Sequence, residues 1–329
     1  MCGIVGQINY LNSNNINVFE NIKKLTDRLH HRGPDDKGIW LNSSRDVCIG
    51  HARLSILDLS KNGSQPMISK NSRYVISYNG EIYNHLNLRK ELEEVYENNL
   101  AWNSSCDTET LLRCIEKFGV KETLNKSKGM FSFAVWDNKL NQLTLVRDRI
   151  GEKPLYYGWV NDSFVFSSEL GPIKLLNKSE NKINEIAINA FFNFNFIPAP
   201  HTIYKNIYKL EPGKIFTITL DNMRERKFNI ESYWDLKKIA TVSKDFNKDN
   251  NLSPYKLFDE KLNNVIQNQL ISDVPIGVFL SGGLDSTLVT AIASKKMENL
   301  KTFTVGFDEN NFSELKSARK IANYLKTDH

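Results

Sequence analysis

What this 329-residue chain lacks narrows its class before any motif is read. No stretch approaches the ~20 uninterrupted apolar residues of a membrane-spanning helix, and no basic segment leads into an apolar signal core. A protein without membrane contacts is therefore expected, and a cytoplasmic one. Cysteine is scarce: there are four, with no CxxC pair. Cys48, Cys106 and Cys114 stand in apolar or mixed surroundings, so they read as reduced thiols, not as zinc ligands or a disulfide framework. Charge of one sign is missing as well. The 43 Lys and Arg against 38 Asp and Glu leave +5, with no long basic run carrying interleaved aromatics, and nucleic acid is not an expected partner. What is present, 40% apolar and 25% charged residues, is the composition of a globular protein long enough for two cores.

Short β-rich runs fill the first part of the chain: "CGIVGQINY", "CIGHARLSIL" and "RYVISYNGEIY", the last with turn chemistry at Asn79-Gly80. From Gly129 onward "MFSFAVWD", "QLTLVRD", "PLYYGWV" and "SFVFSSE" follow one another with polar turns between them, the pattern of one antiparallel meander. Helices are expected at "VFENIKKLTDRLHH", where Phe19, Ile22, Leu25 and Leu29 share a face, at "HLNLRKELEEV", and at "DTETLLRCIEKF" with Asp107 or Thr108 as its cap. The Asn-rich "NSNNINV" and "NKDNN" read as exposed loops, and "KKIATVSKDFNKDNNLS" as a linker. Beyond about residue 250 the order becomes helix, strand "PIGVFL", Gly-rich turn, helix "STLVTAIASKK", strand "KTFTVGF" and helix "SELKSARKIANYLK". That is the start of a parallel α/β sheet.

Two stretches carry chemistry. "FLSGGLDS" lies where a strand hands over to a helix, a place where backbone N–H groups and the helix dipole can hold a phosphate. Gly282 and Gly283 let the backbone approach an anion, Ser281 and Ser286 offer hydroxyls, and Asp285 is the candidate ligand for Mg²⁺ on a polyphosphate. A plain glycine turn with Asp285 or Ser286 as helix cap is the alternative. No Gly-Lys-Ser/Thr follows, so this is not a Walker A loop. At the other end, Cys2 is either a small apolar residue opening an edge strand or, once Met1 is trimmed, a residue with both a thiol and a free α-amine.

"SGGLDS" resembles the PP-loop of ATP pyrophosphatases, which split ATP between its α and β phosphates. With it, "MCGIVG", "HRGPDD", "GHARLSILD", "YNGEIYN", "CDTETLL", "RDRIGEKPLYY" and "FSSEL" occur in an order and spacing that resemble the glutamine-hydrolysing asparagine synthetases. The resemblance implies an α+β Ntn-hydrolase αββα sandwich, a class II glutamine amidotransferase domain, over residues 2–215. It implies a connecting segment over 216–250 and the beginning of an α/β PP-loop domain over 251–329. Catalysis would rest on Cys2, whose thiol and amine are close in acidity, with the Asn79 amide and the Gly80 N–H as oxyanion donors in a flexible turn. Glutamine would be held by Arg53 on its α-carboxylate and by Asp107, with Glu81 nearby, on its α-ammonium. Leu54, Ile56 and Leu57 would add backbone and wall contacts. ATP would lie beside Leu280 and Val305 on the Ser281–Ser286 turn with Mg²⁺, although both apolar residues fit a strand core equally well. Arg32 and Asp35 in "HHRGPDD" read as structural, and "AFFNFNFIPAP" as core or as a domain interface.

The implied substrates are glutamine, aspartate and ATP, and a homodimer is part of what the resemblance implies. Because the family's synthetase domain runs well past "YLKTDH", the second domain is expected to be incomplete. Three readings stay open here. One is the N-terminal part of an asparagine synthetase, yielding asparagine, glutamate, AMP and diphosphate. Another is a stand-alone glutaminase or amidotransferase serving a different acceptor, such as a sugar acid. The third is a truncated binding or assembly module.

Overall fold

The structure is a computed structural model and describes residues 1–10, 17–97, 99–176, 182–242, 253–309 and 313–329. The described residues fall into two compact units, Met1–Thr241 and Val242–His329.

The strands of the first unit are β1 (Gly3–Ile8), β2 (Asp36–Leu41), β3 (Val47–Arg53), β4 (Met67–Ile68), β5 (Tyr74–Ile82), β6 (Gly129–Asp137), β7 (Gln142–Arg147), β8 (Tyr156–Val160), β9 (Ser163–Ser167), β10 (Ile207–Lys209), β11 (Lys214–Thr219) and β12 (Asn229–Ser232). Its helices are α1 (Val18–Arg28), α2 (His85–Val95), α3 (Asp107–Phe118), α4 (Val120–Lys126), α5 (Leu170–Leu176), α6 (Glu185–Phe194), α7 (Leu220–Met223) and α8 (Leu236–Val242), the last ending at the border between the units. The strands form two antiparallel sheets, in the orders β10-β8-β9-β1-β3-β2 and β12-β11-β7-β6-β5-β4.

Period-two alternation decides which side chains meet between the sheets. Ile4 and Ile8 of β1 and Val47 and Ile49 of β3 interleave with Val75, Ala134, Trp136, Leu145 and Phe216 of the second sheet in one buried cluster. Gly6 shares that inner face, and a Cβ there would sit 2.1 Å from the Phe166 ring. On the outer face of the first sheet, Val5, Cys48 and Ala52 pack under Ile22 and Leu25 of α1 and Leu29 just past its end. On the outer face of the second, Ile76, Tyr78 and Ile82 pack under Leu88 and Leu92 of α2 and Leu111, Leu112 and Ile115 of α3. The layers therefore read helix, sheet, sheet, helix, the expected αββα sandwich. Each fully buried Leu, Ile or Phe stabilises such a core by about 1.5–3 kcal/mol.

Three local expectations change. The single meander is two hairpins, β6-β7 and β8-β9, in different sheets. The chain crosses over at Asp148–Leu155, where the buried Arg147 guanidinium donates to the carbonyls of Gly151, Lys153 and Leu210. The stretch from Phe216 to Ser232, assigned above to a connecting segment, includes strand residues of the second sheet: β11 pairs with β7 and β12 pairs with β11. Helix α3 begins at Asp107 with Cys106 in the cap position, and the donors that precede it are met by Glu109, whose carboxylate accepts from the Asn103 and Ser104 N–H groups. "NSNNINV" largely, "NKDNN" wholly and most of the linker lie outside the described residues.

The second unit has α9 (Pro254–Gln269), β13 (Gly277–Phe279), α10 (Leu284–Ser294), β14 (Lys301–Phe303) and α11 (Leu315–Leu325), with β13 and β14 parallel. Both strands are shorter than the apolar runs that contain them. Small cores form from Ile266, Ile292, Ala293 and Leu300, and from Leu280 with Ala318 and Ala322.

Candidate active site

Strand alternation aims the inner face of β5 at the first sheet: Val75 joins the shared core, and the Ser77 hydroxyl donates to the Gly50 carbonyl across the gap. Two and four residues further along that face come Asn79 and Glu81, at the end of the sandwich where β1 begins. There a cavity of about 150 Å³ is lined by Met1, Cys2, Arg53, Leu54, Ile56, Leu57, Asn79, Gly80, Glu81 and Asp107. It thus collects every residue expected around glutamine. Gly63, Gln65, Tyr78, Cys106, Thr108, Met130 and Lys153 join the lining, and sequence reasoning assigned none of them to the site.

Cys2 is held from several sides. The Leu54 N–H donates to its Sγ at 3.4 Å, and the Sγ lies 3.6 Å from the Leu54 carbonyl. The Arg32 Nε donates to the Cys2 carbonyl at 2.9 Å, while its Nη1 pairs with Glu169 at 3.0 Å. The Ser168 hydroxyl accepts from the Ile4 N–H at 3.0 Å. "HRGPDD" and "FSSEL" therefore converge on the first residues of β1 and fix them. Asp35 accepts from the Ser55 N–H at 2.8 Å, bracing the loop after β3. Burial pushes the Cys2 thiol up, against the Leu54 N–H, the chain's amine and Arg53, all of which favour the thiolate.

Asn79 and Gly80 are not a turn. They lie inside β5, opposite Ser132 and Phe131 of β6. A Cβ at Gly80 would stand 2.3 Å from the Met130 carbonyl, so only glycine lets the strands pair here. The ladder holds Asn79 in place with its side chain 1% exposed, and its Nδ2 is buried without a hydrogen-bond partner. A buried amide donor left empty costs about 1–3 kcal/mol. It is therefore a group awaiting an acceptor.

Arg53, 5% exposed at the end of β3, donates to the carbonyls of Leu57, Asp58 and Ser60. Gly63 makes room for it, since a Cβ there would meet the Arg53 Nη2 at 2.1 Å. Asp107 accepts from the Tyr78 hydroxyl at 2.7 Å and from the Ile82 N–H at 2.8 Å. Burial nevertheless holds its carboxyl above the usual range, more strongly than these hydrogen bonds lower it. Glu81 is raised too, by burial and then by Asp107. The cavity thus gathers a fixed guanidinium, two carboxyls, a thiol and a buried amide donor without a partner.

The sequence profile of the glutamine amidotransferase domain family matches residues 1–234. The chain belongs to that family. The asparagine synthase profile matches residues 257–329. Among curated relatives, a Methanocaldococcus jannaschii protein provisionally named glutamine-hydrolyzing asparagine synthetase 2 is 36% identical, covering 100% of this chain and 64% of its own length. Asparagine synthetase 1 of Bacillus subtilis, named glutamine-hydrolyzing, is 34% identical over 98% of this chain and 48% of its own length. The chain accordingly spans between about half and two thirds of such relatives. A solved glutamine phosphoribosylpyrophosphate amidotransferase from B. subtilis has a similar fold, with a TM-score of 0.52 at 18% identity, covering 70% of this chain and 49% of that one.

In the second unit the Gly-rich turn of this amidotransferase-family chain is tied together internally. The Ser281 and Ser286 hydroxyls lie 2.9 Å apart, the Ser281 N–H donates to the Ser286 hydroxyl at 3.2 Å, and Thr287 donates to the Gly283 carbonyl at 2.6 Å. Gly282 has φ +87° and sits against Ser317, where a Cβ would stand 2.9 Å from its Cβ, so only glycine suits both the backbone and the space. Gly283 is the helix cap, and Asp285 lies in the first turn of α10. Leu280 and Val305 differ: Leu280 is 1% exposed in a small core, whereas Val305 is 67% exposed. Among the described residues no group of three His, Cys, Asp or Glu side chains could hold a metal ion, which leaves Asp285 as a single carboxylate. A positive-φ glycine at a strand-to-helix turn with flanking hydroxyls is compatible with a polyphosphate. No helix is long and apolar enough to cross a membrane, among the described residues.

Proposed function

We propose that the first unit hydrolyses glutamine at Cys2 and that the whole protein passes the ammonia to an aspartate activated by ATP, forming asparagine. The observation that carries the reading is the vacant Asn79 Nδ2, buried in the same cavity as the Cys2 thiol, the Arg53 guanidinium and the Asp107 carboxyl.

Removal of Met1 frees the Cys2 α-amine, which takes the thiol proton as the sulfur attacks the side-chain amide carbon of glutamine. The oxyanion receives hydrogen bonds from the Asn79 Nδ2 and the Gly80 N–H. As the C–N bond breaks, the amine passes its proton to the departing nitrogen and ammonia leaves. Water then hydrolyses the glutamyl thioester to glutamate and restores the thiol. Arg53 offers a planar fork to the α-carboxylate, while Asp107 and Glu81 face the α-ammonium. Removing Met1 also removes a side chain from the cavity wall.

In the second unit Ser281, Gly282, Gly283 and Ser286 would hold the phosphates of ATP, with Leu280 and Val305 beside the adenosine. When bound, ATP supplies adenylate activation of a carboxylate, and Asp285 is placed to hold its Mg²⁺. The reading also carries a soluble, cytoplasmic protein and a homodimer. Glutamate release from glutamine tests it. Wild-type protein lacking Met1 should release glutamate, and Cys2→Ala should not; equal release from both would end the proposal.

A further inference from the structure

Lys153 is a cavity-lining residue that the steps above leave unused. It is 6% exposed and faces the same space as Cys2. Its loop is unusually well fixed. The Asp148 carboxylate accepts from the N–H groups of Gly151, Glu152 and Lys153 at 2.7–2.9 Å, and the Arg147 Nε donates to the Lys153 carbonyl at 2.9 Å. An ammonium buried this far costs several kcal/mol unless anions or a ligand answer it. Burial pulls the Lys153 pKa below the usual lysine range, and Glu81 and Glu152 oppose this through space, without a hydrogen bond to it. The amine at the start of the chain, that of Met1, is lowered first by burial and then by the positive fields of Arg32 and Lys153, and the Lys153 ammonium also acts on the Cys2 thiol.

Other charges face this corner. Arg32, from the turn after α1, donates to Glu169 and to the Cys2 carbonyl, while its Nη2 is buried without a partner. Arg53, at the end of β3, is bound to loop carbonyls, and Asp35 holds the Ser55 N–H. Asp107 on α3 accepts from Tyr78 and Ile82. Glu81 on β5 and Glu152 in the loop are the anions that oppose the field of Lys153.

We propose that Lys153 is a positioning residue of the glutaminase site, whose ammonium spreads a positive field over the first residue of the processed chain and so favours the neutral amine and the thiolate. The inference rests on Cys2 being the nucleophile. Lys153 keeps its own proton throughout: the thiol proton moves to the Cys2 amine and then to the departing ammonia. A protonated amine cannot act as the base, so the field acts on the rate of attack more than on glutamine binding.

The test is the pH dependence of glutaminase kcat/KM in full-length, Met1-processed protein, for wild type, Lys153→Arg, Lys153→Met and Lys153→Gln. In wild type the acid limb is expected below about 7.7, the lower edge of the ordinary α-amine range. Neutral replacements should move it up by about one pH unit, the scale of one unit charge several ångströms away in a partly screened site. At pH 7 that is roughly a tenfold loss in kcat with KM within about twofold, and Lys153→Arg should restore the wild-type profile. An unmoved limb in a folded neutral variant would overturn the inference, as would a loss confined to KM. So would a wild-type limb at or above about 8, which decides the matter even if the neutral variants fail to fold. A wild type without glutaminase activity, or an active Cys2→Ala, would instead refute the assignment of Cys2.

Discussion

Asn79→Ala is the substitution in which structure and mechanism make the most separable demands. The Asn79 Nδ2 is buried with no partner, so in the empty site it contributes no hydrogen bond to stability. Its removal relieves an unsatisfied donor, worth about 1–3 kcal/mol, against the cost of a small polar cavity of about the same size. Thermal stability should therefore stay within about 1 kcal/mol of wild type, since the β5-β6 ladder at Ser132 does not involve the side chain. In the reaction the same atom meets the oxyanion. Losing one such donor costs roughly 10²–10³ in kcat, or about 2.7–4 kcal/mol of transition-state stabilisation, with KM for glutamine changed far less. Coupled detection of glutamate gives kcat and KM, and calorimetry gives Tm on the same sample. A kcat within threefold of wild type would refute the reasoning. So would a large drop in kcat accompanied by an equally large loss of folding stability.

Arg53→Lys should raise KM for glutamine by roughly 10- to 100-fold with little change in kcat, because a point charge replaces a fork worth about 1.5–3 kcal/mol in charged hydrogen bonds; a steady-state glutamine titration reads it. Asp107→Asn should weaken glutamine binding yet raise Tm at pH 7. Burial holds the Asp107 carboxyl above its ordinary range, so ionising it destabilises the fold as pH rises through that interval, and the amide escapes the cost. The Tm gain should vanish below the ordinary carboxylate range, which thermal scans across pH would show. His51, buried between the sheets with its Nε2 donating to the Tyr78 carbonyl at 3.0 Å, is pulled down to about 4 by burial. Its neutral form favours the fold above about pH 6.5, and about 3 kcal/mol should be lost as pH falls from there to about 4, measurable by urea denaturation.

Much of this arrangement is legible in the sequence because each motif owes its place to short-range chemistry. Helices α2 and α3 cover the two stretches expected to be helical, and the alternation of β1 and β5 is plain in "CGIVGQI" and "YVISYNGEI". What escaped depends on partners distant in the chain. Asn79-Gly80 has turn composition, yet pairing with Ser132 and Phe131 overrides local preference, and the glycine is required by the Met130 carbonyl. Lys153 is an ordinary loop lysine until Arg147 and Asp148 fold its loop against Cys2. β11 and β12 carry too little alternation to reveal that they extend the second sheet. Leu280 and Val305 show that apolar identity alone does not fix burial, since one is in a core and the other faces outward.

The central claim is that the first residue of the processed chain forms a covalent bond to glutamine. Acid-quenched mass spectrometry of the N-terminal peptide, sampled within the first turnovers, tests it directly. The account predicts a peptide that starts at Cys2 and carries a glutamyl group on its sulfur, which decays as glutamate appears and does not form in Asn79→Ala at the wild-type rate. An active protein that keeps Met1, or one that turns over glutamine with the Cys2 thiol free for alkylation throughout, would contradict it.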